Sequence, residues 1–450
     1  MFKFLIIFIF SLNALSMISF EDYLFKTKNI NTDYILIYKN GKKLFQKYNR
    51  GYKRDQKHLS WSMAKTVTGI LIAQAIEQGL LTLNERVSKT FPKFKGQATI
   101  KDLLQMSSGI DFTEKYSGLP VSANVTRMLY INGPQSGFAN YTLSLPLINN
   151  LNPGEYFYYS SGDTNILMAI LKSKLATNEY NNFPWKNLFD PLKISATFEQ
   201  DSQGVFVGSS YLYMSANDYL KIAKLFLNDG KYEDKQILPK WYLKNITKLA
   251  KGVNLKAKRG TSPRKAYSIQ TSINSPILGR KLPPEFKYLP SDSILFLGFQ
   301  NQIIVVSPRE KLIIIRLARD KGKTFKRDLF FKKAYEQFYP DKLKIALNEY
   351  SNLYANYKKP QELPPKNTTM LSDYLLLTKL LKNSASKEYC SCILVEKRTS
   401  KQCEIDLRSF LPFIPHLNIS NKEITADFYI DKSSTSRFIN DKLGCYLTYQ

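Results

Sequence analysis

A polar start followed by an almost wholly apolar stretch sets residues 60–79 apart from the rest of the chain. Ser62 and Lys65 stand in its first turn, and apolar side chains then fill most positions up to Gly79, a residue type that commonly ends helices. A helix that is apolar nearly all round must be buried on most sides. The pattern therefore predicts a central buried helix, with Ser62 and Lys65 one turn apart on one face at its start.

Strand patterns occur at both ends of residues 30–340. Two β-rich runs flank Asn40-Gly41, a dipeptide that favours a hairpin. Strand patterns return at residues 266–273, predicted as one strand, and continue as a meander before a helix over 323–339. The chain thus returns to the layer that it left. This predicts an α/β (α+β) domain, an antiparallel sheet flanked by helices with a mostly helical subdomain inserted at about 100–257.

The two ends of the chain differ in composition from this domain. Residues 1–16 carry one lysine, a short apolar run and a small-x-small ending, which predicts a secretory signal peptide; an uncleaved anchor is the alternative. Residues 341–369 contain a Lys- and Pro-rich stretch and are interpreted as a linker. Residues 370–450 are predicted to form a separate small C-terminal domain. The mature protein is expected to be periplasmic or extracellular.

All cysteines lie in that C-terminal part: Cys390, Cys392, Cys403 and Cys445. An even number in an exported chain predicts two disulfides. Cys392 and Cys403 could close a hairpin, which leaves Cys390 for Cys445, but the sequence does not fix the pairing. A Cys-only metal site is the alternative, and the expectation is no metal and no cofactor.

The charge balance is strongly basic, with 65 Lys plus Arg against 37 Asp plus Glu and a formal net charge of +28. A solvated lysine surface explains such a balance, and an anionic cell-envelope polymer is the partner that it would favour. The lysines are spread along the chain rather than gathered in a stripe, which argues against nucleic acid as a partner. With only His58 and His416, a Ser-His-Asp triad is also disfavoured.

The spacing Ser-x-x-Lys occurs three times, at Ser62/Lys65, Ser262/Lys265 and Ser384/Lys387. Only the first pair opens an apolar helix, where the helix start favours negative charge on the serine oxygen. Burial would lower the lysine pKa and let the amine act as a base. The structural alternative is a serine at a helix start beside a lysine that extends to solvent.

A tyrosine adds to this candidate pair. Pro153-Gly154 forms a turn that leads to Tyr159, just before a helix expected to be capped by Asp163 or Thr164. A phenol near a lysine can pass a proton between a nucleophile and a leaving group. The alternative is one packed aromatic side chain among 29 tyrosines.

These segments together resemble the serine β-lactamase and penicillin-binding-protein superfamily, on the side of class C enzymes, related esterases and 6-aminohexanoate-dimer hydrolases. The resemblance covers roughly residues 30–340. It rests on Ser62-Met-Ala-Lys65, Leu103-Leu-Gln-Met-Ser-Ser-Gly109, Pro153-Gly154 with Tyr159-Ser-Ser-Gly-Asp-Thr164, Gly208-Ser-Ser with Ala216-Asn-Asp-Tyr219, and Gly298 to Gln302 with Val306-Ser-Pro308.

The resemblance implies roles for individual residues. Ser62 is the nucleophile that forms an acyl-enzyme, Lys65 is its base or proton partner, and Tyr159 relays protons to the leaving group. The backbone N–H groups of Ser62 and Gln302 are the expected oxyanion donors. Ser161 is expected to line the cleft.

One stretch departs from the family pattern. Phe299 stands where the third motif has a cation or an imidazole, and Asn301 stands where it has a small glycine; both are expected at the substrate cleft. Such an uncharged site favours an ester or a neutral amide over a substrate that carries a carboxylate. The sequence thus predicts an exported serine hydrolase acting on a small-molecule or peptide-like ester or amide. The alternative is a catalytically degenerate binding protein of the cell envelope.

Overall fold

The computed structural model describes residues 18–115, 121–255, 265–340, 349–357, 372–409, 411, 413–420, 422–428 and 433–448. The predicted signal peptide and most of the predicted linker lie outside these ranges. Within them, none of the helices combines the length and the apolar character that a membrane span requires.

The strands are numbered in chain order: β1 Thr32–Lys39, β2 Lys42–Tyr48, β3 His58–Leu59, β4 Thr197–Phe198, β5 Leu212–Met214, β6 Lys231–Tyr232, β7 Lys235–Gln236, β8 Ala266–Tyr267, β9 Ser272–Ile273, β10 Ile294–Gly298, β11 Gln302–Ser307, β12 Leu312–Ala318, β13 His416–Ser420, β14 Glu423–Asp427, β15 Ser434–Phe438 and β16 Cys445–Thr448. The helices are α1 Phe20–Phe25, α2 Ala64–Glu77, α3 Val87–Thr90, α4 Ile100–Leu104, α5 Asn124–Thr126, α6 Gly133–Ser136, α7 Phe138–Leu143, α8 Ser161–Ser173, α9 Thr177–Pro184, α10 Ala216–Leu227, α11 Lys240–Ile246, α12 Lys251–Leu255, α13 Arg327–Phe338, α14 Ser351–Ala355, α15 Ser372–Cys390 and α16 Ser400–Leu407. Single 3-10 turns occupy Trp61–Met63, Leu278–Arg280 and Phe299–Asn301, and π-helical turns occupy Arg127–Ile131, Trp185–Phe189 and Ser391–Val395.

A seven-stranded antiparallel sheet organises the first domain, in the order β2-β1-β12-β11-β10-β9-β8. The N-terminal hairpin turns at Asn40 and Gly41, whose φ angles of 47° and 84° are those of a tight primed turn. Strand β1 then pairs with β12, so that Leu36 faces Ile315 across the sheet. The predicted return of the chain to its first layer, with a helical region inserted between, is confirmed.

Helix α2 is buried between the sheet and the helical region, as its apolar sequence requires. Every residue from 64 to 75 is buried. Ile70 and Leu71 belong to the same hydrophobic cluster as Ile304 of the sheet and Leu167 of α8. The helix begins at Ala64, however, and Ser62 lies in the 3-10 turn just before it. This places Ser62 at the surface of the core and Lys65 inside it.

The stretch 266–273, predicted as one strand, is instead a hairpin of β8 and β9. The chain reverses at Gln270, which has a φ angle of +52°. Its backbone N–H donates to the Leu104 carbonyl at 2.9 Å, and its side-chain amide donates to the Leu103 carbonyl at 2.9 Å. These bonds hold the turn against the end of α4, and a continuous strand would lose them.

The start of α8 also differs from the prediction. Ser160 caps this helix, because its backbone is extended and its hydroxyl accepts from the Asp163 N–H at 3.0 Å. Asp163 and Thr164 lie inside the first turn. Tyr159 therefore lies immediately before the cap, and Ser161 is the first residue of the helix.

The C-terminal residues, predicted to form a small domain, pack against the helical region of the first domain. Helix α15 and the sheet β13-β14-β15-β16 share one hydrophobic cluster with the helical region of the first domain. Leu380 and Tyr389 of α15 belong to it together with Leu129 and Phe138. Composition changes near residue 340, but the buried surface is continuous across that change.

Two disulfides lie in this part of the molecule, Cys390–Cys445 and Cys392–Cys403. The second joins a π-helical turn to α16, so it closes a helical segment and not the hairpin that the spacing suggests. The described residues contain no cluster of three or more His, Cys, Asp or Glu side chains that could hold a metal ion.

A buried ion cluster fastens the C-terminal residues to the large sheet. Arg319, which follows β12, forms a bidentate pair with Glu396 at 2.6 and 2.7 Å. The same guanidinium lies 3.1 Å from Asp33 of β1 and 3.3 Å from Asp406 of α16. Since these groups are buried, removing the shared cation leaves carboxylates without full compensation.

We predict that Arg319→Leu lowers the free energy of unfolding by about 3–5 kcal/mol, the usual cost of breaking a buried ion pair on one side. Urea unfolding followed by circular dichroism measures this loss. Arg309→Leu is the matched control, because Arg309 pairs with Glu349 at 3.4 Å near the surface; its loss should stay below about 1 kcal/mol. Equal, small losses in both variants would show that the cluster does not hold the C-terminal residues.

Candidate active site

The turn that carries Ser62 is held on both sides by contacts with neighbouring segments. The Ser60 hydroxyl donates to the Ser210 carbonyl at 2.8 Å. On the other side strand β10 comes so close that a Cβ atom on Gly298 would lie 2.8 Å from the Ser60 carbonyl oxygen. Trp61 adopts a φ angle of +46°, a left-handed conformation that bulky residues rarely take. This tight, partly strained turn fixes Ser62 at the mouth of α2.

Lys65 is buried beneath Ser62, with 1% of its surface exposed. Its Nζ donates to Ser62 Oγ at 3.1 Å, to Ser161 Oγ at 2.9 Å and to the Ser209 carbonyl at 3.1 Å. Burial lowers the pKa of Lys65 to about 8; the charge of Glu114 raises this pKa and that of Lys265 lowers it further. The neutral amine, at hydrogen-bonding distance from Ser62, is therefore more accessible near neutral pH than that of an ordinary lysine.

Ser161 connects this amine to a carboxylate. Its Oγ donates to Glu114 Oε1 at 2.6 Å, and its backbone N–H donates to Glu114 Oε2 at 2.8 Å. The predicted cleft residue Ser161 is thus in contact with Lys65. Glu114 was not among the sequence candidates, since it lies 47 positions before Ser161 in an irregular segment that no motif marks.

The Tyr159 ring lies close to two lysines. The Nζ atom of Lys65 is 4.9 Å from its ring centroid and that of Lys265 is 3.7 Å away. Burial raises the pKa of Tyr159 well above its usual value; Tyr267 and Glu114 add to this effect, and a hydrogen bond with Ser62 opposes it. Tyr159 therefore remains a protonated phenol beside Ser62 and can donate a proton.

After Glu114, Lys265 is the second side chain of the site that was not among the sequence candidates. It precedes β8 at the sheet edge and lines the same cleft, while Ser262 lies outside the described residues. Burial lowers the pKa of Lys265 to about 8, with Glu285 and Arg327 acting in opposite directions. The cleft thus contains a second amine where the sequence predicts an uncharged site. In the sequence Lys265 is marked by its Ser-x-x-Lys spacing from Ser262 and by its place directly before a strand pattern.

Strand β10 contributes its backbone to the third wall of the cleft. The residues that line the cleft around Ser62 are Lys65, Thr66, Tyr159, Lys265, Tyr267, Gln270, Thr271, Ser272, Leu295 and Leu297. The side chains of Leu295 and Leu297 share the other face of the sheet and pack in the hydrophobic cluster of α13, and the Leu295 carbonyl accepts from the Thr271 hydroxyl at 3.2 Å. The following turn points the next residues elsewhere, since Gln300 and Asn301 both have φ angles near +60°.

The predicted residues of that turn have other partners. Phe299 packs edge-on against Trp61, with ring centroids 5.7 Å apart. Asn301 donates to Asp320 at 3.1 Å. The Gln302 side chain donates to the Leu59 carbonyl at 2.8 Å, and its backbone faces Gly298 in the sheet. Gly298 is the residue of β10 that lies directly against the Ser62 turn.

The remaining Ser-x-x-Lys pair and the buried histidine are structural. Ser384 donates to the Leu380 carbonyl at 2.7 Å, while Lys387 forms a buried ion pair with Glu199. The ring nitrogens of His58 lie 2.9 Å from the Leu59 carbonyl and 3.1 Å from Asp33, in the ion cluster. Neither arrangement brings a base to a free hydroxyl.

The fold and the grouping of Ser62, Lys65 and Tyr159 define a protein of the serine β-lactamase and penicillin-binding-protein superfamily. The Beta-lactamase family model matches residues 19–331, and the chain belongs to this family.

Two related proteins carry informative names. The chain is 21% identical over 229 residues to the 6-aminohexanoate-dimer hydrolase of Paenarthrobacter ureafaciens, covering 48% of this chain and 57% of the hydrolase. It is 30% identical over 181 residues to Protein flp of Staphylococcus aureus, covering 36% of this chain and 34% of flp. The chain therefore spans little more than half of the first relative and about a third of the second.

Solved structures share the fold at low identity. EstCE1, a hydrolase with promiscuous acyltransferase activity, superposes with a TM-score of 0.52 at 14% identity, covering 67% of this chain and 93% of its own. A penicillin-binding-protein homologue from Caulobacter crescentus gives a TM-score of 0.51 at 12% identity, covering 72% and 97%. At these identities the likeness shows the fold alone.

The lowered pKa of Lys65 predicts a stability that depends on pH. Between about 8 in the folded protein and 10.5 in the unfolded chain, the unfolded state holds one more proton. The free energy of unfolding should therefore rise with pH in this window, by up to ~1.4 kcal/mol per unit. Lys65→Met lacks this contribution, so urea unfolding at pH 8 to 9.5 should give it a smaller slope than wild type.

The exposed Lys89 provides the control. Lys89→Met should keep the wild-type slope, because it leaves Lys65 and its neighbours unchanged. Identical slopes for wild type and Lys65→Met would show that Lys65 titrates alike in both states.

Proposed function

We propose that this protein is an exported serine hydrolase that cleaves an ester or an amide through an acyl intermediate on Ser62. One observation carries the proposal: a buried amine whose pKa is about 8 lies 3.1 Å from the Ser62 hydroxyl. A serine becomes a nucleophile when an adjacent base takes its proton, and a desolvated lysine is such a base.

The proposed acylation begins when neutral Lys65 takes the Ser62 proton. Ser62 Oγ bonds to the substrate carbonyl carbon, and the Ser62 N–H together with backbone donors of β10 stabilises the oxyanion. The bond from that carbon to the leaving oxygen or nitrogen then breaks. Tyr159 gives the leaving group a proton, which the Lys65 ammonium replaces, so the amine is neutral again.

Hydrolysis of the acyl-enzyme uses the same groups. Neutral Lys65 takes a proton from a water molecule as the water oxygen bonds to the acyl carbon. The bond to Ser62 Oγ breaks, the acid leaves, and the proton returns from Lys65 to Ser62. Each bond and proton is accounted for by Ser62, Lys65 and Tyr159 without a cofactor.

The cleft supports a small-molecule or peptide-like acyl group as substrate. The polar residues Thr271 and Ser272 line the cleft, and Lys265 adds a cation whose Nζ lies 3.7 Å from the Tyr159 ring centroid. The preference for a strictly neutral substrate depends on Phe299, which is not among the residues that line this cleft. We therefore include acyl groups with a carboxylate among the candidate substrates. The names of the related hydrolases support amide and ester chemistry of this kind.

Export is part of the proposal. The signal-peptide pattern of residues 1–16 supports it, and the two disulfides are compatible with an oxidising compartment. The net charge of +28 favours contact with anionic polymers of the cell envelope. We place the protein in the periplasm or outside the cell.

A fluorophosphonate probe tests the acyl-forming step. We predict that wild type is labelled at Ser62, that Ser62→Ala is not, and that Lys65→Met is labelled at least about 10²-fold more slowly, since a general base contributes about 10²–10⁴. The wild-type rate should rise with pH and level off above about 8, as Lys65 loses its proton. Peptide mass spectrometry locates the adduct.

Ser384→Ala is the matched control, because Ser384 and Lys387 have the same spacing without the same contacts. It should be labelled like wild type. Absence of labelling in folded wild type would instead favour a catalytically degenerate binding protein. Retention of the protein on purified envelope in a salt-sensitive manner, unchanged in Ser62→Ala, would then support that alternative.

A further inference from the structure

We propose that Glu114 is a positioning residue that, through Ser161, turns the lone pair of Lys65 toward Ser62. The inference rests on the proposed function, because it concerns how the base of that reaction is oriented. It adds a carboxylate to the site that neither the sequence motifs nor the names of the relatives indicate.

The Ser161 hydroxyl has a single proton and two neighbours that can take part in a hydrogen bond with it. Ser161 Oγ lies 2.6 Å from Glu114 Oε1 and 2.9 Å from Lys65 Nζ. An ionised carboxylate only accepts hydrogen bonds, so the Ser161 proton must point at Glu114. Ser161 Oγ is then an obligatory acceptor for Lys65.

The hydrogen bond between Lys65 and its second partner also has a fixed direction. The Ser209 carbonyl lies 3.1 Å from Nζ and can only accept. A neutral amine has two hydrogens and one lone pair. When the hydrogens go to Ser161 and Ser209, the lone pair is left for the third neighbour, Ser62 Oγ at 3.1 Å. This is the orientation in which Lys65 can take the Ser62 proton.

An amide at position 114 would reverse this direction. The Ser161 backbone N–H, which can only donate, also forms a hydrogen bond with Glu114 Oε2 at 2.8 Å. In Glu114→Gln the amide oxygen would accept from that N–H, and the amide nitrogen would donate to Ser161 Oγ. The Ser161 proton would then point at the Lys65 lone pair and compete with Ser62. The hydrogen bond from the Ser161 N–H at the start of α8 would be kept. The variant therefore changes the orientation of Lys65 without removing this support of the helix.

The charge of Glu114 acts on Lys65 as well. It raises the pKa of Lys65, against burial and against Lys265, which approaches from β8. Among the residues that the structure describes, Tyr159 from the segment before α8 also faces this amine. Removing the Glu114 charge should therefore lower the pKa of Lys65 and shift the rise of the labelling rate to lower pH. Loss of the Lys65 orientation should instead lower the labelling rate on the alkaline plateau.

The experiment measures fluorophosphonate labelling of full-length protein from pH 6 to 9.5 in wild type, Glu114→Gln, Ser161→Ala and the double variant. On the alkaline plateau Glu114→Gln should be labelled about 10- to 100-fold more slowly than wild type, a part of what a general base supplies. Its acid limb should lie at lower pH. On the Ser161→Ala background, Glu114→Gln should change the plateau less than about twofold, because the hydroxyl that it redirects is absent.

Glu179→Gln is the matched control, since Glu179 also caps a helix, at 3.1 Å from the Ala176 N–H, and lies on the exposed start of α9. It should be labelled like wild type. Thermal unfolding of each variant verifies that it is folded. A Glu114→Gln plateau equal to wild type, or an equal loss with and without the Ser161 hydroxyl, would overturn the inference while leaving the acyl-serine proposal intact. No labelling of wild type would instead refute the proposed function, and the inference with it.

Discussion

An amine buried beneath a serine hydroxyl is the constraint on which the rest of this structure depends. An ammonium group in a protein interior is costly unless oxygens surround it. The three oxygens around Lys65 come from the turn before α2, the start of α8 and the loop before β5. The site therefore exists only when α8 and the loop before β5 pack against the start of α2, and the apolar sequence of α2 provides the buried surface for that packing.

The C-terminal residues support the same turn from outside. Glu396, held by Arg319 in the ion cluster, accepts a hydrogen bond from the Leu59 N–H at 2.8 Å. Leu59 is three residues before Ser62. The side chain of Gln300 also donates to Ser409 at 2.8 Å. The C-terminal part is thus built into the scaffold of the cleft rather than appended to it, although the sequence texture changes well before it.

The sequence predicts features that local pattern determines. An apolar run requires burial, Asn40-Gly41 requires a tight turn, and Ser62 and Lys65 meet because they are one turn apart. Glu114 and Lys265 could not be predicted in this way, because tertiary packing alone brings them to Ser161 and Tyr159.

Matching motifs by order along the chain places residues 299–302 in the cleft. In the structure, Gln300 and Asn301 are two consecutive left-handed residues that form a turn after β10, and the cleft is lined by β10 at Leu295 and Leu297. Time-resolved intact-mass spectrometry with a panel of activated esters, amides and β-lactams tests the central claim most directly. The account predicts a wild-type adduct with the mass of the acyl group that forms and decays, and none in Ser62→Ala. Folded wild type that shows no adduct with any of these substrates would contradict it.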